Sequence, residues 1–326
     1  MFLAFLILAA LVGVHVLAAV VATQVIAGRI ESANPPGGTF VRVVGGRLHL
    51  YDIKARGTEQ GPPILLLHGA TSNARDMVVA LAGPLSEHRR VIAVDRPGHG
   101  WSDRPGGRAD ASPARQADLV AEALGELGVE RVVVVGHSLA GAAATSLALN
   151  HGECVAGLVL LSAVTHPWPG GIAWYYRLAA TPILGRLFVD TIMTPVGAWG
   201  LETAAAGSFS PSAGPADYAD ATSAALVLRP DEFRWNGQDV AALKAFVTAQ
   251  APRYHEIDVP CAIIASAEDT VVSTDIHSRS IARQIEGSRL MVLQGMGHQI
   301  HYAARATVLV EIDRVAAAAT VRTSPP

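Results

Sequence analysis

Cysteine and basic residues are both scarce in this sequence. The only two cysteines, Cys154 and Cys261, lie far apart and form no CxxC pair, which favours two separate core side chains over a disulfide or a metal site. The formal net charge of −3 at pH 7 leaves no basic excess for binding nucleic acid. The sequence also lacks a P-loop, a dinucleotide fingerprint and a metal-ligand cluster. We therefore predict no cofactor, no metal and no nucleic-acid partner.

The first 28 residues lack charge altogether, because Met1 to Gly28 contains no Asp, Glu, Lys or Arg. At about 1.5 Å per residue, a helix of this length exceeds the roughly 30 Å hydrocarbon core of a bilayer. A cleaved signal peptide has a basic start and an apolar run of about 7–15 residues, and this segment has neither. We predict a single-pass membrane anchor over residues 1–28, with secretion after signal cleavage as the alternative. The side of the membrane stays open.

After the anchor, the sequence has the pattern of a folded body built on a parallel sheet. Asn34-Pro35-Pro36-Gly37-Gly38 predicts a linker, assigned to residues 29–38, and a hairpin is predicted at 40–44 and 48–53. Continuous apolar runs separated by helical patterns then indicate strands buried on both faces. These runs are Ile64–Leu67, Val91–Val94, Val132–Val135, Leu158–Leu161, Ala262–Ala265 and Leu290–Leu293. The alternation predicts a doubly wound α/β fold.

The alternation breaks between residues 165 and 258, where aromatic residues, Pro and Gly are scattered through a helical, irregular stretch. An insertion between two strands of such a sheet is interpreted as a helical lid over the strand ends. The predicted core therefore has two parts, residues 39–164 and 259–318, with the lid between them and a tail at 319–326.

The strongest chemical signal is an apolar strand that runs directly into Gly136-His137-Ser138-Leu139-Ala140-Gly141 and an alanine-rich helix. A nucleophile elbow holds its serine in strained backbone geometry, so the neighbouring residues must be small. The turn also places the serine hydroxyl at a helix N-terminus, where free N–H groups favour developing negative charge. Ser138 is therefore the candidate nucleophile. The alternative is an ordinary strand–turn–helix with an incidental serine.

Three further motifs lie before and after this elbow in the chain. Two precede it, His68-Gly69 and Asp95-Arg96-Pro97-Gly98-His99-Gly100-Trp101-Ser102, and the third, Gly297-His298, lies near the end. With these motifs the chain, from about Gly38 onward, resembles the lid-bearing, esterase-like branch of the α/β-hydrolase superfamily. The resemblance implies an eight-stranded, mostly parallel sheet with an inserted helical lid. It also implies a catalytic triad in the chain order serine, acid, histidine.

The resemblance assigns the other two triad positions. His298 follows the last strand and is the candidate base that takes the serine proton, with His301 as its nearest rival. Asp269 follows the preceding strand and is the candidate acid that fixes the imidazole tautomer, with Glu268 as the alternative.

Two groups of residues are candidates for binding the substrate. The resemblance alone implies that the backbone N–H groups of Ala70 and Leu139 form an oxyanion hole. Aromatic residues of the lid are predicted to line an apolar pocket, with packing between lid and body as the alternative. They are Trp168, Trp174, Tyr175, Tyr176 and Trp199.

These residues together predict a serine hydrolase that cleaves a carboxylic ester of a small apolar substrate through an acyl-enzyme intermediate, without a cofactor. The same triad supports carbon–carbon bond hydrolysis or lactone opening, because a fold does not fix a reaction. A rival from another class is a catalytically inactive, membrane-tethered binding protein on the same scaffold.

Overall fold

A computed structural model gives the fold and describes residues 1–323. One sheet has the strand order β1-β2-β4-β3-β5-β6-β7-β8, in which β1, β2 and β4 pair antiparallel and all other pairs are parallel. The strands are β1 (Thr39–Val43), β2 (Gly46–Ile53), β3 (Ile64–Leu67), β4 (Val91–Val94), β5 (Val132–His137), β6 (Val155–Leu161), β7 (Cys261–Ser266) and β8 (Arg289–Leu293). The predicted eight-stranded, mostly parallel sheet is confirmed.

Helices cover both faces of this sheet and fill the insertion between β6 and β7. Within the described residues, the α-helices are α1 (Phe2–Ala33), α2 (Ala74–Met77), α3 (Gly83–Leu85), α4 (Pro113–Glu126), α5 (Ala140–Asn150), α6 (Trp174–Ala179), α7 (Ile183–Phe188), α8 (Thr194–Phe209), α9 (Tyr218–Ala221), α10 (Pro230–Gln250), α11 (Ser278–Ala282), α12 (Ile300–Ala303) and α13 (Arg305–Thr323). A π-helical turn, Val189–Met193, joins α7 to α8.

The core lies on both sides of the central strands, which explains their continuous apolar runs. Residues of β5 such as Val132 and Val134 pack with α4 and α5 on one face. Their neighbours Val133 and Val135 pack with α2 and α13 on the other face. Alternate residues of a strand point to opposite faces, so a strand buried on both sides must be apolar at every position.

The helices α6 to α10 form the predicted lid, and residues 162–260, all of them described, contain no strand. The lid is fixed to the core by two buried ion pairs that share one carboxylate. On α10, Asp239 accepts hydrogen bonds from Arg96 Nη1 and from Arg104 Nη2, each at 2.8 Å. Arg96 belongs to the motif that follows β4, so that turn has a structural role in holding the lid.

The chain's two ends differ from the predicted boundaries. Helix α1 does not stop at residue 28 but continues to Ala33, so the linker is only Asn34–Gly38. Glu31 and Ala33 favour a helix, and Pro35 and Pro36 prevent it from continuing. At the other end, residues 319–323 belong to α13 rather than to a tail, and residues 324–326 lie outside the described residues.

Helix α1 is exposed along its first half and packs on the lid along its second half. Residues 2–18 are exposed, whereas Thr23 and Ala27 are buried. Ile30 packs on a lid cluster that includes Phe188 and Leu228. It is the one helix among the described residues that is long and apolar enough to cross a membrane.

Candidate active site

The elbow around Ser138 is built from glycines that no larger residue could replace without movement. Ser138 has φ +55°, in the left-handed region that costs energy for a residue other than glycine. An added Cβ on Gly136 would lie 2.8 Å from the Ala144 Cβ, and one on Gly141 would lie 2.4 Å from the Ala163 Cβ. The turn is therefore tight enough to hold the Ser138 hydroxyl clear of β5, at the start of α5.

The structure brings Ser138, His298 and Asp269 together. The Oγ atom of Ser138 lies 2.9 Å from Nε2 of His298, and Nδ1 of His298 lies 2.8 Å from Oδ2 of Asp269. All three residues are buried. Since the imidazole uses both nitrogens, its orientation is fixed between the hydroxyl and the carboxylate.

Asp269 is held as an anion by its surroundings. Burial raises the pKa of Asp269, but the hydrogen bond and charge of His298 and the N–H groups of Val271 and Val272 outweigh it, so the pKa is lowered. Those two N–H groups each donate to Oδ1 at 2.9 Å. The neighbouring Glu268 points elsewhere, and its Oε2 accepts from the backbone N–H of Gly295 at 2.9 Å.

The loop after β3 approaches the elbow closely. An added Cβ on Gly69 would lie 3.0 Å from the Ser138 Cβ, so a larger residue there would press on the serine. Ala70 follows directly and lines the same cavity as Ser138 and Leu139. The two residues whose backbone N–H groups the resemblance implied as an oxyanion hole therefore line one cavity together with the serine.

That space is a cavity of about 720 Å³ between the sheet and the lid. Of the five predicted lid aromatics, Trp168, Tyr175 and Tyr176 line it. Trp174 and Trp199 do not, and their side chains are 62% and 91% exposed. The prediction for these two was wrong, because they lie on the outer side of their helices.

The comparison with known proteins supports the same fold. A sequence model described as the alpha/beta hydrolase fold matches residues 62–304. The chain belongs to the α/β-hydrolase family. An uncharacterised protein of Mycobacterium tuberculosis (strain ATCC 25618 / H37Rv) is 30% identical over 269 residues, which are 77% of this chain and 74% of that protein.

Two further relatives have known activities. A 2-hydroxymuconate semialdehyde hydrolase of Pseudomonas putida is 34% identical over 161 residues, covering 47% of this chain and 53% of that protein. The solved structure of an esterase from Exiguobacterium antarcticum superposes with a TM-score of 0.66 at 23% identity, covering 85% of this chain and 99% of that one. Membership of this family makes the chain a hydrolase.

The cavity of this α/β-hydrolase has little charge. None of its lining side chains within residues 1–323 is Lys or Arg, and Asp269, its carboxylate, is bound to His298. Burial, and then the neighbouring His166, lower the pKa of the lining residue His277 to about 4, so this imidazole is neutral at pH 7. Such a cavity favours an uncharged ligand.

A buried layer of polar side chains, which the sequence patterns did not predict, lies behind His298. His137 Nε2 donates to the His298 backbone carbonyl at 3.2 Å, and its ring lies 4.4 Å from that of His301. His301 Nε2 in turn lies 3.3 Å from Asp76 Oδ2. The predicted rival base, His301, therefore faces a carboxylate of its own rather than Ser138.

Asp76, His137 and His301 could hold a metal ion by geometry, since their ligand atoms lie within 4.8 Å of one another. Asp76 already accepts hydrogen bonds from Ser72 Oγ at 3.1 Å and Tyr302 Oη at 3.0 Å. We interpret the group as a hydrogen-bonded layer that supports the loop carrying His298.

The lid also contacts the loop that carries Ala70, through residues that no motif marks. Thr71, at φ +56°, donates its backbone N–H to Asn236 Oδ1 at 2.8 Å. Its hydroxyl lies 2.8 Å from the hydroxyl of Tyr176. An asparagine and a threonine 165 residues apart give no local sequence signal, so only the folded chain reveals that the lid positions this loop.

Proposed function

We propose that this α/β-hydrolase is a serine esterase that cleaves an uncharged, apolar carboxylic ester through an acyl-enzyme intermediate. The observation that carries the proposal is the continuous contact from Ser138 Oγ through His298 to Asp269, at 2.9 Å and 2.8 Å. This contact lies on the wall of a cavity that is lined by no Lys or Arg among the residues that the structure describes. A serine hydroxyl is a poor nucleophile unless a base within hydrogen-bond reach takes its proton.

In the proposed mechanism, Ser138 Oγ attacks the ester carbonyl carbon while His298 Nε2 takes the hydroxyl proton. The negative charge that develops on the carbonyl oxygen is stabilised by the N–H groups of Ala70 and Leu139. His298 then gives its proton to the leaving alcohol, which leaves an acyl group on Ser138. Water, deprotonated by the same imidazole, hydrolyses this acyl-enzyme. Asp269 keeps the Nδ1 proton in place and stabilises the imidazolium.

The cavity supports an apolar substrate. Its walls include Trp168, Tyr175 and Tyr176 on the lid side and Leu139 and Val164 on the core side. Ligand pockets of this kind bind mainly by apolar burial, with a few polar groups that orient the ligand. We expect the acyl chain to lie against these side chains.

A second candidate reaction is hydrolysis of a carbon–carbon bond, or opening of a lactone, by the same three residues. The observation in its favour is the 34% identity to the Pseudomonas putida 2-hydroxymuconate semialdehyde hydrolase over about half of this chain. The absence of Lys and Arg from the cavity lining, within residues 1–323, favours the ester over an anionic substrate.

We also propose that α1 is an uncleaved membrane anchor. Its first half is apolar and exposed, which is unfavourable in water. Its second half packs on the lid through Thr23, Ala27 and Ile30, and Glu31 pairs with Arg229 at 3.3 Å. A signal peptide that is removed would not need such contacts with the mature body.

The test of the catalytic proposal is covalent labelling by a fluorophosphonate, combined with turnover of p-nitrophenyl esters of graded acyl length. Ser138→Ala should abolish labelling and lower turnover by about 10⁴-fold or more, because the three residues act as a unit. Ser146→Ala, on α5 and outside the cavity, is the matched control and should keep both.

Substantial esterase activity in Ser138→Ala would contradict the assignment. Absence of labelling in the unmodified protein would favour a binding protein. Trapping tests the intermediate: mass spectrometry of the unmodified protein, quenched with acid soon after it is mixed with a p-nitrophenyl ester, should find one acyl group on Ser138. Turnover of a carbon–carbon substrate without any ester hydrolysis would support the second candidate.

A further inference from the structure

The lid has an apolar outer surface that its own fold does not cover. Six side chains from α7, the π-helical turn and α8 form it, and we call them the apolar lid surface: Ile183, Leu184, Leu187, Ile192, Val196 and Trp199. Their exposed fractions run from 48% for Leu187 to 91% for Trp199. Large exposed apolar patches on a soluble protein usually mark a binding surface.

Helix α8 is unusual for a helix in water. Over its 16 residues it has one charged side chain, Glu202, and few of its residues are buried. A helix that is apolar on all sides is normally inside a protein or a membrane. The charges nearby are internally paired, since Arg186 on α7 binds both Asp190 and Asp231. The apolar lid surface therefore has few unpaired charges beside it that would favour its exposure to water.

The position of α1 indicates what covers the surface. The second half of α1 packs directly on the π-helical turn and on α8. The exposed part, residues 2–18, spans only about 25 Å at about 1.5 Å per residue, less than the roughly 30 Å of a hydrocarbon core. A helix that crosses the bilayer must therefore bring residues 19–22, and the lid beside them, to the membrane boundary.

From this continuity we propose that the apolar lid surface inserts into the lipid bilayer beside α1, so that the cavity takes its ester from the membrane. Helix α8 connects the apolar lid surface to the cavity. Its residues Leu201, Ala204 and Ser208 line the cavity, while Val196 and Trp199 face outward. The insertion rests on the membrane anchor proposed above, and the source of the substrate rests on the proposed ester hydrolysis.

The insertion is tested on the full-length chain in phosphatidylcholine vesicles that contain lipids with a nitroxide quencher at a known depth. A fluorescent label is attached to a single cysteine, in a Cys154→Ser background in which Cys261 stays buried. One label replaces Ile183 on the lid, one replaces Leu8 on α1, and the matched control replaces Val310, which is 65% exposed on α13.

We expect the labels at positions 8 and 183 to be quenched at least about 2-fold, with position 183 quenched best by the shallow nitroxide, as for a surface that lies in the interface. The label at position 310 should be unaffected. If position 8 is quenched and position 183 is not, the lid does not insert and the proposal is wrong. If neither is quenched, the anchor itself is wrong. If cross-linking instead shows two copies meeting at position 183, the surface is a protein interface and the proposal is overturned.

The source of the substrate is tested with the triple variant Leu184→Gln, Ile192→Gln, Val196→Gln, whose three positions all lie outside the cavity. Hydrolysis of a soluble short-chain ester should stay within about 2-fold, while hydrolysis of a long-chain ester in vesicles should fall about 10-fold or more, since the lid loses its apolar contact with lipid. The double variant Val310→Gln, Val321→Gln should change neither rate.

Equal loss or equal retention of both activities in the triple variant would contradict the proposal. If the unmodified protein hydrolyses no ester, the proposed function fails, yet the quenching experiment still decides whether the lid inserts.

Discussion

At the scale of single residues, Asp269 and Glu268 are neighbours with different roles. Asp269 Oδ2 contacts the imidazole of His298 at 2.8 Å, whereas Glu268 binds the backbone of the loop that carries His298. The sequence left open which of the two carboxylates contacts the histidine, because both residues lie just after a strand. The direction in which each side chain leaves the turn separates them.

Asp269→Asn should therefore lower ester turnover heavily, by about 10⁴-fold, because the amide no longer favours the Nδ1–H tautomer of His298. Glu268→Gln is the matched control and should stay within about 10-fold, since it acts only through the loop. Steady-state turnover of a p-nitrophenyl ester measures both. The opposite ranking would assign the acid to Glu268.

Asp76 should make stability depend on pH in a defined direction. Burial raises the pKa of Asp76, but the charge and hydrogen bond of His301, with Tyr302 and Ser72, leave it below its ordinary value of 3.8. A carboxyl with a lowered folded pKa contributes stability above its unfolded pKa and loses it as the pH falls through the folded value.

Melting temperatures of the detergent-solubilised protein test this. Asp76→Asn should melt below the unmodified protein at pH 5, and the margin should shrink as the pH falls below about 3.8. Asp275→Asn, at an exposed position, should differ little throughout. A margin that stays constant down to the lowest pH would show that the carboxylate charge of Asp76 does not contribute.

At the scale of elements, the strands of the sheet could be predicted residue by residue, whereas the lid could be predicted as a helical insertion but not which of its side chains face the cavity. Strands such as β5 and β7 are buried on both faces, so each leaves a continuous apolar run. The lid helices are partly exposed on one side and face a cavity on the other side, and apolar residues occur on both sides. The helical periodicity of apolar residues therefore does not show which side faces the cavity. Trp199 and Tyr176 are both aromatic residues in helical stretches of the lid, and the sequence around them does not distinguish them, yet only Tyr176 lines the cavity.

Gly136→Ala should damage the elbow while leaving the fold intact. The new Cβ would lie 2.8 Å from the Ala144 Cβ and 2.9 Å from the Ala140 carbonyl oxygen, so α5 must move relative to β5. A small displacement of Ser138 relative to His298 should lower ester turnover by about 10²-fold.

Gly125→Ala is the matched control, because an added Cβ on this α4 residue meets no atom within 4 Å. Alanine favours a helix, so this variant should be as active and up to about 1 kcal/mol more stable. Full activity in Gly136→Ala would show that the elbow tolerates the movement.

At the scale of the whole molecule, α1 belongs partly to the folded body. The sequence suggested a free tether, since uncharged residues end at Gly28 and prolines follow. The structure instead places Thr23 and Ala27 against the lid and pairs Glu31 with Arg229. Local composition cannot show these contacts, because the lid residues that contact the helix are roughly 160 to 200 positions away in the chain.

Two truncations separate the exposed half of α1 from the half that packs on the lid. Removal of residues 1–18 should leave the free energy of unfolding nearly unchanged, whereas removal of residues 1–33 should lower it by about 2 kcal/mol, since burial of Ile30 and its neighbours is lost. Chemical denaturation of both proteins in the same detergent gives the comparison. Equal stability of the two would mean that the docked half contributes nothing.

Because α1 packs directly on the lid, with no flexible linker between them, the rate of the enzyme should depend on the membrane in a particular way. An enzyme joined to its membrane helix by a long flexible linker samples a volume of solution. An enzyme whose membrane helix is packed into its body stays at one distance from the membrane surface and in one orientation. Its encounters would then occur in two dimensions, and its rate would follow the mole fraction of ester among the lipids rather than the amount of ester per volume. Diluting the vesicles with buffer would leave turnover unchanged, whereas diluting the ester with inert lipid would lower it.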